Sequence, residues 1–159
     1  MKALITISLL FLTLYSSFGS INEIISIRQL YYSSVESKTN TEKLVETLKH
    51  ITIESDAIQQ GYKGMSLLLV AKHSWNPITK NNNFRQGLNW LESAIAKDTS
   101  SIELRFLRYS VQCNAPLFLN YSDKIVKDKK YIMKNYKKLD DRDLKNRISN
   151  YLTLEMKIK

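Results

Sequence analysis

The chain has 159 residues, of which 43% are hydrophobic and 10% aromatic, enough for a packed core in one domain. That composition, with only four Gly and two Pro, excludes collagen-like and disordered chains. The formal net charge of +9 comes from 24 Lys and Arg against 15 Asp and Glu, and residues 122–159 hold 12 of the basic and 6 of the acidic side chains.

Residues 1–20 read as a secretory signal peptide. Lys2 supplies the positive start, Ala3 to Leu14 the apolar run, and Ser17-Phe18-Gly19 a cleavage triplet. The run is shorter than the roughly 20 residues a membrane-spanning helix needs. No Cys lies near the cleavage point, so no lipid attachment is expected there. The expectation is export, to the periplasm or outside the cell, as a soluble protein after cleavage. Nucleic acid is then not an expected partner. The basic C-terminal excess reads as an ordinary solvated face or as a surface for anionic membranes and acidic partners.

Residues 21–159 read as a single all-helical domain with basic C-terminal helices. Ile24, Ile27, Tyr31 and Val35 recur at three- and four-residue steps, which places them on one helical face. Ser37 to Asn40 breaks that helix. A short one follows from Thr41, capped by Asn40 or Thr41, with Leu44, Val45, Leu48 and Ile51 inward. The next spans Asp56 to Ser74, with Ser55 as cap and an inner stripe through Ile58, Gly61, Tyr62, Met65, Leu68, Leu69 and Lys72. Gly61 and Gly64 lower helix propensity by roughly 1 kcal/mol each. Close approach of a neighbouring helix would offset that.

Trp75-Asn76-Pro77 is expected to end this helix, because a residue before Pro avoids the α region. An amphipathic helix is predicted from Phe84 to Lys97, with Phe84, Leu88, Leu91, Ala94 and Ile95 inward. Ser100 and Glu103 form a capping box for a helix reaching Gln112, which turns Leu104, Leu107 and Val111 inward. Ala115-Pro116 stops it. Ser122 caps a basic helix ending near Tyr136, and Asp140 caps a last one containing Leu144, Ile148, Tyr151 and Leu152.

Few residues could support catalysis or metal binding. His50 and His73 sit in no zinc-ligand spacing, and no phosphate-cradling glycine loop or nucleophile elbow occurs. Asp140, Asp141 and Asp143 lack the Gly and distal Glu of a calcium loop and suit a helix start instead. No cofactor or metal site is assigned. The lone Cys113 cannot close an intrachain disulfide and is expected as a small buried apolar residue. Arg105 and Arg108, three apart on one helix face, can grip a partner's carboxylate or bridge to Glu92 or Asp128. Trp75, in a polar loop, is the strongest candidate for an exposed contact, with Trp90 as a second aromatic.

The segment Phe84 to Arg108 resembles the second half of a tetratricopeptide repeat. Gly87, Leu91 and Ala94 stand at its small, large apolar and Ala positions, where closely approaching helices need small side chains. The chain departs from the pattern in having Thr99 where the repeat has Pro, and in a Trp75–Asn83 connection longer than the repeat's turn. The runs Phe84-Arg85-Gln86-Gly87-Leu88, Leu91-Glu92-Ser93-Ala94-Ile95, Glu103-Leu104-Arg105-Phe106-Leu107-Arg108 and Gln112 to Tyr121 look like those of small uncharacterised exported helical proteins of the Bacteroidota, a likeness covering Asp56 to Tyr131. The second resemblance implies export and a fold, and no activity; the first implies a helical hairpin.

The expected architecture is all-α, antiparallel helical hairpins forming a short tetratricopeptide-like solenoid or a helical bundle. The expected role is that of a non-enzymatic adaptor. It would bind an unidentified protein or peptide in a helical groove beside Trp75, Trp90, Arg105 and Arg108. The alternative is an envelope-surface protein that binds anionic membrane or polymer through its basic C-terminal helices.

Overall fold

A computed structural model describes residues 22–158, all of whose regular structure is helical. The signal segment read at residues 1–20 lies outside the described residues. The α-helices are α1 (residues 22–34), α2 (Lys38–Thr47), α3 (Ala57–His73), α4 (Pro77–Lys97), α5 (Ile102–Asn114), α6 (Ile125–Asn135) and α7 (Arg142–Ile158). Short 3-10 turns at Leu117–Leu119 and Tyr136–Lys138 flank α6. None of the described helices is long and apolar enough to cross a membrane.

The packing gathers into two units, one ending at Trp90 and the other starting at Leu91, so α4 contributes to both. In the first unit, Ile27 and Tyr31 of α1, Leu44 of α2, Leu48 at its C-cap and Tyr62, Met65 and Leu69 of α3 are buried. Three pairings set the direction of α1 and α3. Gln59 donates to Glu23 at 3.0 Å, Tyr62 meets Tyr31 edge-on at 5.6 Å, and His73 reaches the Ser34 carbonyl at 3.1 Å. The two helices therefore run the same way, and α2, whose Thr41 hydroxyl donates to the Ser34 carbonyl at 3.1 Å, runs opposite to both. Lys63 of α3 donates to the Ile51 carbonyl just beyond α2, at 2.5 Å.

α4 returns along α3. A Cβ placed on Gly87 would lie 2.8 Å from the Gly64 carbonyl oxygen and 2.8 Å from Leu68 Cγ. The small residue is what lets the two backbones approach, as the glycines of α3 suggested. In the second unit Leu104, Phe106, Leu107 and Tyr109 of α5 are buried with Ile132 of α6 and Leu144, Ile148 and Leu152 of α7. Tyr151 of α7 stacks edge-on against both Phe106 and Tyr109, at 5.4 and 6.1 Å.

Several boundaries differ from the sequence reading, each for a local reason. α2 begins a turn early because Ser37 is its cap, its hydroxyl accepting from the Asn40 amide. Asp56, not Ser55, caps α3, and the Ser55 hydroxyl accepts from the Thr52 amide instead. Pro77 opens α4 rather than closing the helix before it. Asn76 Oδ1 accepts from the amides of Ile78 and Thr79 at 2.9 and 3.1 Å, and a proline at the first helical position lacks only an amide that would be orphaned anyway. The α3–α4 connection shrinks to Ser74, Trp75 and Asn76. Ser101, not Ser100, caps α5, while the Ser100 hydroxyl donates to Asp98. No side chain caps α6, so Ser122 does not, and Asp141 rather than Asp140 accepts from the Leu144 amide at the start of α7.

Candidate functional site

Two polar or exposed features stand out, one in each unit. In the first, Trp75 sits at the α3–α4 turn and is 99% exposed. Beside it runs a shallow groove of about 350 Å³, with Thr41 of α2 and Val70 and His73 of α3 on its wall and Asn76 and Thr79 at its end. Near the groove, hydrogen bonds tie the end of α3 to the end of α1 and the residues just after it. Lys72 Nζ donates to the Val35 carbonyl at 2.6 Å and to Glu36 at 2.7 Å. The exposed Glu36 carboxyl is held below its ordinary pKa by that hydrogen bond and the charge of Lys72. His73 Nε2 lies 3.1 Å from the Ser34 carbonyl, an acceptor, so that nitrogen carries the proton. Ile78, one turn into α4, is also exposed. Trp90 is half-buried, and the Lys63 ammonium lies 4.9 Å from its ring centre.

The second feature is a buried ionic cluster joining α5 to α6 and to the end of α4. Asp128 is wholly buried. Arg108 Nε donates to Asp128 Oδ2 at 2.6 Å and Nη2 donates to Oδ1 at 2.8 Å. The remaining arm, Nη1, donates to Glu92 Oε2 at 2.7 Å. Burial works against the Arg108 charge. The hydrogen bonds and charge of Asp128, and then of Glu92, outweigh that and raise its pKa above the usual range. Arg105 Nη1 donates to the same Asp128 at 3.1 Å, Nη2 donates to the Thr99 carbonyl at 2.7 Å, and the guanidinium lies 4.3 Å from the Tyr131 ring centre. Tyr121 donates to Glu92 Oε1 at 2.6 Å. Burial, then that hydrogen bond, pushes the Tyr121 hydroxyl above its ordinary pKa.

Further along α5, Tyr109 donates to Glu155 of α7, whose two oxygens also accept from Lys129 at 3.1 Å each. Tyr109 is raised by burial and then by Glu155, and burial with the nearby Cys113 pushes Tyr151 up to about 12. Cys113 itself is exposed, correcting the expectation of a buried thiol. It lies in the last turn of α5, where the neighbouring Asn114 is exposed as well.

The four residues singled out from sequence therefore fall into two pairs. Trp75 and Trp90 belong to the first unit, and Trp75 alone is fully presented to solvent. Arg105 and Arg108 belong to the second and converge on Asp128. Their guanidinium groups bridge helices of their own chain, and Arg108 is only 4% exposed. Sequence reasoning missed Tyr121, Tyr131 and Lys129, whose partners lie 26 to 31 residues away and leave no local signal. It also missed Val126 and Met133, exposed on α6, although their seven-residue spacing marks one helix face.

Among the described residues no three His, Cys, Asp or Glu side chains gather as metal ligands. Compared with known protein families, curated proteins and solved structures, the chain matches none of them.

Proposed function

We propose that the chain is an exported, non-enzymatic helical protein that binds another protein or a peptide at the Trp75 end of its first unit. The observation that carries this reading is the near-complete exposure of Trp75 beside a groove with a largely apolar wall. A solvated indole gains most by entering a partner's pocket, and Trp is over-represented among residues that dominate binding energy. Ile78 adds an apolar contact one turn away. The three-residue α3–α4 turn and the close approach at Gly87 support the tetratricopeptide-like hairpin reading, in which grooves between helices receive peptides.

The test uses Trp75 as its own reporter. In a Trp90→Phe background Trp75 is the sole tryptophan. Proteins retained from envelope extract by the parent chain and lost by Trp75→Ser are purified and titrated against that background. A blue-shifted, saturable change in tryptophan emission supports the reading. Retention that is unaffected by Trp75→Ser, or titration without a spectral change, overturns it.

A further inference from the structure

The outward face of α6 has a composition that neither the Trp75 groove nor the ionic cluster uses. α6 carries one acidic residue, Asp128, and it is turned inward and fully buried. Around the helix, the exposed residues Val126, Lys127, Lys130, Met133 and Lys134 fall within a sector about 120° wide at 100° per residue. Val126 is 80% and Met133 55% exposed, and they occupy one edge of that sector, with the three lysines on the other. Lys137 and Lys138, in the following 3-10 turn, are exposed and extend the basic run. The nearest carboxylates in sequence, Asp123 and Asp140, stand before and after this strip rather than in it. Among the described residues none of Lys127, Lys130, Lys134, Lys137 and Lys138 has an ion-pair partner.

The geometry points to α6 as a docking helix for an anionic lipid surface, lying in the plane of the headgroups. The strip from Val126 to Lys134 rises about 12 Å along the helix, long enough to meet several lipid headgroups and far too short to span the bilayer. Lysines spread along the face act as point charges over a mobile negative surface, without the fork geometry that reads one fixed carboxylate. Val126 and Met133 favour a bilayer over an acidic polymer. Two solvated apolar side chains between charges gain by entering the acyl boundary and gain nothing from a polyanion in water. Sorting of this kind, apolar edge beside basic edge, matches interfacial helices.

The experiment is sedimentation of the full chain with phosphatidylcholine vesicles, with and without a quarter of phosphatidylglycerol. The apolar run Ala3 to Leu14 is common to all variants, so every comparison is between variants on the same vesicles. The parent is expected to partition onto the anionic vesicles and to be released as salt rises. Replacing Lys127, Lys130 and Lys134 together by Gln is expected to lower that partition about a hundredfold, at about fivefold per lysine, and the all-Arg variant to retain it. Val126→Ser with Met133→Ser is expected to weaken vesicle binding severalfold while leaving binding to polyglutamate unchanged. Unaltered vesicle binding by the Gln variant overturns the proposal. So does a Ser pair that loses nothing on vesicles, which would assign the strip to an acidic polymer instead. All five side chains are exposed, and circular dichroism of each variant checks that the helices are kept.

Discussion

Arg108 and Asp128 meet side-on, through two hydrogen bonds of 2.6 and 2.8 Å, with both side chains almost completely out of water. Twenty residues separate them in sequence, and the pair fixes α6 against α5. A buried charge left without its partner costs about 3–5 kcal/mol. Asp128→Ala is expected to destabilise the chain by that order in urea unfolding. Arg105→Ala is expected to cost less, because Arg105 is more exposed and Asp128 keeps Arg108. The double variant Arg108→Met with Asp128→Leu is expected to recover much of the loss, since no buried charge then stands alone on α6. Simple additivity of the two single changes would count against this reading.

Gly87→Ala is expected to destabilise, although the same change in an open helix stabilises by about 1 kcal/mol. The new methyl would fall 2.8 Å from the Gly64 carbonyl oxygen, a backbone atom that cannot turn away. Overpacking of this size costs about 1–3 kcal/mol. A raised melting temperature for Gly87→Ala would show that α3 and α4 do not approach as described.

Trp75→Ala is expected to leave stability within about 0.5 kcal/mol of the parent, because nearly all of the side chain is in water. Gln112 is the opposite case. It is 4% exposed, and neither polar atom of its amide has a hydrogen-bond partner among the described residues. Gln112→Leu is expected to stabilise by about 1 kcal/mol, since the change removes an uncompensated desolvation. Thermal melts of the two variants test both statements together.

Alkaline pH is expected to weaken the fold. Tyr151 is raised from 10 to about 12, with burial as the main cause, and Tyr109 and Tyr121 are raised as well. Below pH 10 these phenols are protonated in folded and unfolded chains alike, and their contribution is fully present. As pH rises from about 10 toward 12 the unfolded chain gives up the Tyr151 proton first, so stability falls through that window. Tyr151→Phe should flatten the decline there, measured as the urea midpoint against pH.

Helix existence and inward face were legible because Ile27, Tyr31, Leu44, Leu48, Leu104 and Leu107 keep a helical period and all prove buried. Caps were less legible. At Ser55-Asp56, Ser100-Ser101 and Asp140-Asp141 two adjacent residues can each accept from a free amide, and tertiary placement of the backbone decides between them. Pro77 carried the same ambiguity. It stops a helix from within and starts one at its first position, and the Asn76 side chain turns it into a start. For the candidate site, the bridging of Arg105 and Arg108 to Glu92 and Asp128 was legible in charge and spacing. The Tyr109–Glu155 contact spans 46 residues and had no sequence signal.

The uneven burial of α5 and α6 sets an order of opening. α5 buries Leu104, Phe106, Leu107 and Tyr109, whereas α6 buries one apolar side chain, Ile132, together with Asp128. Much of what holds α6 is therefore electrostatic, and much of what holds α5 is hydrophobic. Amide exchange should run as a cooperative group through α6 while α5 stays protected. The second unit would then behave as a hydrophobic frame with one ionically latched arm.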